Sequence, residues 1–263
     1  LTGVLIQHNV VTGNDTGATN PQSPYGQCQG SGNVPGDCGE GIHLLSVADS
    51  EVSDNQSVGN TGGILITDEY GPNHDNLITH NYVANNAADC GITMPGHNLG
   101  FNPGTGMTVP SFGGVYNEQV TDNIVVKNGV KGFGAGIGIF APFPGAASYD
   151  NTVSGNFTQG NGLGGISVHS HAPDAYVDGN VFTHNLIGKN NVTKSDGGDG
   201  SPIDTQTTGI VIWSAASPYH FVVSDNRIFD NTYGIWLTPA TISASGLATN
   251  HYQGVKTPVF DAS

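Results

Sequence analysis

Residues 62–86 read GGILITDEYGPNHDNLITHNYVANN and hold both halves of a unit that recurs along the chain. The first half is a glycine followed by alternating apolar residues, Gly63-Ile-Leu-Ile. The second is a pair of asparagines five apart, Asn81 and Asn86, flanked by short apolar runs. Outward from this stretch, the first half returns at Gly41, Gly91, Gly136, Gly165, Gly209 and Gly234. The second returns at Asn9/Asn14, Asn55/Asn60, Asn123/Asn128, Asn156/Asn161, Asn180/Asn185 and Asn226/Asn231. Each half alternates with period two, the mark of a half-buried strand, and helical spacing is absent. Such internal repetition outranks any local reading.

Successive strand glycines lie 22, 28, 45, 29, 44 and 25 residues apart. The shortest interval is about one coil of a solenoid, and the excesses are loops. A chain winding back on itself stacks each strand about 4.8 Å from its equivalent. Equivalent asparagines then form ladders whose amides bond from coil to coil. The Asn-x-Ser/Thr triplets at Asn14, Asn55, Asn156 and Asn191 read as ladder residues rather than glycan acceptors. The expected fold is all-β, a single-stranded right-handed parallel β-helix of about seven recognisable coils over 1–240, with 241–263 as a C-terminal capping segment.

Composition narrows function. The 263 residues carry 21 Asp and Glu against 6 Lys and Arg, a net charge of −15, and Arg227 is the sole arginine. No basic footprint for nucleic acid exists. A polyanionic polysaccharide is repelled unless a divalent cation bridges it. No apolar run reaches the roughly 20 residues of a membrane-spanning helix. Cys28 and Cys38 flank a short Gly/Pro-rich loop and are expected to form a disulfide, which points to export, whereas Cys90 adjoins an apolar strand and reads as a buried thiol. The chain begins at Leu1 in mid-repeat, as a processed chain or a fragment does. An N-terminal capping segment or a partner chain is expected over that end.

The pattern resembles the right-handed parallel β-helix of the pectate-lyase-like superfamily. More closely, it resembles the short β-helix repeats of periplasmic NosD-type copper-binding proteins and of secreted bacterial β-helix proteins. The resemblance implies the fold, and it leaves function open, because lyases, hydrolases, epimerases and non-enzymatic proteins share that architecture.

Functional residues are sought among those the coils do not need. Residues two, four and six steps beyond each strand glycine point outward. The second-step column reads His43, Leu65, Thr93, Gly138, Ser167, Val211, Trp236, and the fourth-step column Leu45, Thr67, Pro95, Phe140, His169, Trp213, Thr238. The sixth-step column contains Glu69, His97 and His171. One outward groove is therefore expected to gather Glu69, His97, His169 and His171, with Asp68 and His74 in the adjoining loop. Insertions 97–118, 15–40 and 186–208 would wall it.

Glu69 and His97 are candidates for a general acid/base pair, or for an ion pair holding a loop; Asp68 is the nearest second carboxylate. His169 and His171 on one strand face have metal-ligand spacing, and with His97 form a candidate Cu or Zn set, or a second proton-transfer pair. Phe140, Trp213 and Trp236, with His43 and His74, are candidate sugar contacts, or packing under the insertions. Asp196, Asp199 and Asp204 offer oxygen ligands for Ca²⁺, without EF-hand spacing. Arginine-driven elimination is disfavoured by the single Arg227. The expectation is a secreted, periplasmic or cell-surface carbohydrate-active protein that binds a glycan or polysaccharide. A polysaccharide-processing enzyme leads. A NosD-like metal-binding protein and a structural or adhesive solenoid are the alternatives.

Overall fold

The computed structural model describes residues 1–14, 39–97, 101–102, 107–108, 113–131, 134–170, 172, 174–194, 205–214, 218–238 and 242–261. Three parallel eight-stranded sheets run the length of a β-helix. The glycine-led strands, from Ile42–Leu45 through Ile137–Ala141 to Tyr233–Thr238, form the first sheet together with Thr257–Asp261. A second sheet runs from Leu5–Gln7 to Ile242–Ser245, and a third from Val10–Thr12 to His251–Gln253. Residues of the expected 241–263 capping segment thus supply the last strand of all three sheets. Eight strands per sheet exceed the seven recognisable units because that last coil lacks the glycine-led signature. Among the described residues no helix is long and apolar enough to cross a membrane.

The inward residues of all three sheets merge into one core that includes Ile64, Ile78, Val83, Ile92, Val120, Val125, Ile137 and Phe182, each with no exposed surface. Between the second and third sheets the chain turns through a left-handed residue just before the ladder asparagine: His8, Asp54, His80, Asp122, His184 and Asp225 at φ of 54–58°. Short polar side chains tolerate that conformation better than branched ones. Three of the ten histidines are thereby accounted for by turn geometry. Between the third and first sheets the coils close tightly. A Cβ on Gly91 would strike the Val125 side chain and lie 2.7 Å from the Gly136 carbonyl oxygen. The glycine that opens the first-sheet strand is there for close approach.

Two complete ladders brace the turns. The first joins Asn9, Asn55, Asn81, Asn123, Asn156, Asn185, Asn226 and Asn250; in it the Asn123 backbone N–H and Nδ2 donate to Asn156 Oδ1 at 2.9 and 3.0 Å. The second joins Asn14, Asn60, Asn86, Asn128, Asn161, Asn190 and Asn231. The sixth pair is therefore Asn185/Asn190, not Asn180/Asn185. Three asparagines at intervals of five made the sequence register ambiguous there. Asn180 belongs to a third, shorter ladder that begins at Ser50 and continues through Asn76, Glu118 and Asn151. Asn191 stands outside the ladders, and its Nδ2 donates to the Gln206 carbonyl.

Candidate functional site

The expected register of the first sheet is present: Pro95, Phe140, His169, Trp213 and Thr238 are cross-strand neighbours in turn. Their face is not an open groove. Leu65, Thr67, Ser167 and Val211 point away from the core yet are buried, and His169 is 5% exposed. Phe140 and Trp213 meet the His169 ring edge to face, at 5.6 and 6.3 Å between centroids. Trp236 stacks on Phe260 at 4.0 Å and meets Tyr233 edge-on. These rings are packed against one another, so the outward side of this sheet is largely a second, smaller packing layer. His43 is exposed, with Nε2 2.8 Å from Thr67 Oγ1.

A carboxylate that meets His97 is that of Asp68. Strand Ile64–Thr67 ends one residue earlier, so strict alternation no longer decides which side chain faces the next coil. Asp68 is fully buried, and its Oδ1 accepts the His97 backbone N–H at 2.6 Å. His97 Nδ1 lies 3.5 Å from the same oxygen, an ion-pair distance rather than a good hydrogen bond. Asp68 Oδ2 has no hydrogen-bond partner. Glu69, 5% exposed, follows directly and bridges to Gly71. Two neighbouring carboxylates are thus out of water, that of Asp68 beside an imidazole, while Arg227 sits on the third sheet between Leu186 and His251. A buried carboxylate with one oxygen bare is costly, so this corner is a chemically conspicuous one.

His97 and His169 have separate surroundings. The His97 ring is 6.3 Å from Phe143 and beside Asp68, whereas His169 is held between Phe140 and Trp213. His171, Cys28, Cys38, Asp196, Asp199 and Asp204 lie outside the described residues. Among the described residues no three His, Cys, Asp or Glu side chains converge closely enough to hold a metal ion. Cys90 supplies no ligand either: it is a free, buried thiol packed with Ala135 and Leu163, and burial pushes its pKa well up. The described donor set does not by itself fit a copper centre.

Two features escaped the sequence reading. His74, expected beside Glu69, instead heads a column of aromatic rings on successive coils: His74, Tyr116, Tyr149, Tyr176 and Tyr219. Its Nδ1 is 2.7 Å from Asp75 Oδ2. A signal for this column existed, since His74, Tyr116, Tyr149 and Tyr219 each precede a first-ladder asparagine (Asn81, Asn123, Asn156, Asn226) by seven residues. The second is Glu118, which has no exposed surface and occupies an asparagine's place in the third ladder. Asn76 Nδ2 donates to its Oε1 at 2.9 Å, and its Oε2 is unpartnered. Burial, with Asp75 adding to it, pushes the Glu118 carboxyl up to about 8 against the pull of Asn76.

The three-dimensional arrangement is similar to that of a solved structure, an alginate lyase from Paenibacillus sp. str. FPU-7, with a TM-score of 0.53 at 11% identity over 98% of this chain and 86% of that one. At that identity the likeness concerns the fold, a right-handed parallel β-helix. No curated protein matches the sequence. Residues 108–251, more than half of the chain, match the family described as periplasmic copper-binding protein (NosD). The continuous ladders and glycine-led strands of that stretch are the features a repeat family of this kind would share, and the chain belongs to the NosD family.

Proposed function

We propose that this is an extracytoplasmic glycan-binding β-helix that processes a polysaccharide at the Asp68–His97 corner. One observation carries the reading: a fully buried carboxylate, one oxygen unpartnered, beside a histidine at the point where a long insertion leaves the first sheet. In this reading Asp68 holds the His97 ring, and His97 moves the proton, as its near-neutral intrinsic pKa suits. Glu69 is the second carboxylate, and Phe140 and Trp213 border the sugar. Elimination, hydrolysis and epimerisation all need such a proton transfer.

The test is turnover of a panel of neutral, amine-bearing and uronate polysaccharides, read as reducing ends and as absorbance of a new double bond. Asp68→Asn and His97→Ala should each lose about 100-fold or more in rate with unchanged circular dichroism. Parent-like rates in both variants would sink the reading.

The family description favours a second reading, copper binding, with His97 and His171 as donors and His169 as a third if its ring turns out of its aromatic enclosure. Calorimetric titration with Cu²⁺ decides it. One equivalent bound by the parent and lost in His97→Ala, together with no turnover on the panel, would replace the enzymatic reading with the metal-binding one.

A further inference from the structure

The corner between the first and second sheets carries a row of rings, of which the last, Tyr219, also packs against the core. His74 lies flat on Tyr116 (centroids 4.9 Å apart, planes 5° apart), and Tyr116 on Tyr149 (5.1 Å, 19°). The stack then breaks. Tyr176 meets Tyr149 at 67° and Tyr219 meets Tyr176 at 90°, at 5.2 and 5.6 Å. One ring per coil gives four intervals of close to one strand spacing along the axis. Three parallel rings stacked along the axis present their edges outward. Tyr176, turned out of that stack, has a plane that runs roughly along the solenoid, and at 43% it is among the most exposed large side chains.

Acidic side chains surround this corner. The acidic side chains next to the rings in the chain include Asp75, Asp150, Asp174 and Asp178. Asp75, Asp150 and Asp174 are exposed. The cations lie on the opposite side of the coil. Arg227 is in a third-sheet strand, and Lys127, Lys131, Lys189, Lys194 and Lys256 fall in the arcs that follow third-sheet strands. The phenols of Tyr149, Tyr176 and Tyr219 are held above the ordinary tyrosine range, first by partial burial and then by neighbouring tyrosines and aspartates; the Tyr219 hydroxyl donates to the Ala175 carbonyl and the Tyr149 hydroxyl to the Gly113 carbonyl at 3.5 Å.

We infer that this aromatic strip is a binding surface for an extended glycan bearing protonated amino groups, lying along the solenoid axis. It deepens the glycan reading above by naming the sugar class. Ring edges and the phenols of Tyr116 and Tyr176 meet sugar hydroxyls, and the broad ring of Tyr176 takes an apolar sugar face or an ammonium group. The aspartates pair with further amines, and they repel a uronate chain.

The test measures binding of three soluble chains of equal length at low salt and about pH 6: a de-N-acetylated amino-sugar oligomer, its N-acetylated counterpart and an oligouronate. The parent should bind the amine-bearing chain about tenfold more tightly than the neutral one and the uronate least. Tyr176→Ala should weaken the amine-bearing chain about fivefold or more, and Tyr176→Phe should keep most of the affinity. Asp150→Asn with Asp174→Asn should erase much of the preference for the amine and spare the neutral chain. Equal binding of the three chains, absence of binding to the amine-bearing chain, or parent-like affinity in Tyr176→Ala overturns the inference. Asp68→Asn keeps the two readings apart: it should lose turnover yet retain strip binding.

Discussion

The first and third ladders flank the two ends of the second-sheet strands and differ in composition. The first is asparagine throughout, from Asn9 to Asn250. The third places Glu118 between Asn76 and Asn151. An amide both donates and accepts, so each asparagine receives from one neighbour and gives to the next, and the pattern regenerates itself. An ionised carboxylate only accepts. Glu118 takes the Asn76 amide on Oε1, but its other oxygen is left bare and out of water. Periodicity therefore secures satisfied polar burial only while the repeated group carries both functions. One substitution turns a structural rung into a titratable one.

The largest effect is expected from breaking the uniform ladder in its middle. Asn156 Oδ1 accepts two bonds from Asn123, and Asn156 Nδ2 donates to the Val120 carbonyl at 2.8 Å and to Asn185 Oδ1 at 3.1 Å. Asn156→Ala strands two buried donors and an acceptor. We expect a loss of about 4 kcal/mol, measured as a lower denaturation midpoint in guanidinium. A loss below about 1 kcal/mol would mean that the ladder adjusts around a gap.

Next comes the pH response of the other ladder. The folded carboxyl of Glu118, near 8, lies above its free value of 4.5. A raised carboxyl binds more protons in the folded state, so its stabilising contribution is complete below pH 4.5 and is lost as pH rises through about 8. Thermal unfolding should show a decline of about 2–3 kcal/mol from pH 5 to pH 7 attributable to this group. Glu118→Gln restores an amide to the rung and should remove that part of the slope. A profile of unchanged steepness in the variant would show that the carboxyl is not protonated in the fold.

The smallest effect concerns the end of the third ladder. Ser50 Oγ accepts the Val4 N–H at 2.8 Å and donates to the Ala48 carbonyl, while the Ser50 backbone makes the bond to Asn76. Ser50→Ala keeps the ladder and orphans a part-buried donor beside the first strand. About 1 kcal/mol is expected, with faster amide exchange confined to residues near Val4. Exchange that spread to the coil of Glu118 would show the two ends of the ladder to be coupled.

Much of the fold was legible. The glycine-led strands and the paired asparagines are spaced by the coil itself, and burial enforces both: Gly91 has no room for a side chain, and Asn81 no water to replace its partner. The candidate site was legible only in part. His169 occupies the column assigned to it, but alternation stops with the strands at Thr67 and Pro95, and beyond them the His97 N–H reaches Asp68. The aromatic column and Glu118 were hidden by the choice of origin. Counted from the strand glycines, variable insertions scatter them; counted back from the first-ladder asparagines, Tyr116 and Tyr149 stand at seven residues and Glu118 and Asn151 at five.

The sequence by itself determined the winding. Its repeated close contacts and self-complementary amides admit one way of stacking coils, and local rules hold along every turn. Which surfaces stay open was decided only in three dimensions. Whether a ring is enclosed depends on which non-repeating side chains its own and neighbouring coils bring beside it, Tyr233 and Phe260 for Trp236 and Phe140 and Trp213 for His169, whereas Tyr176 stands exposed. Periodicity specifies neighbours along the axis. Enclosing a ring falls to side chains that do not repeat, and no period encodes it.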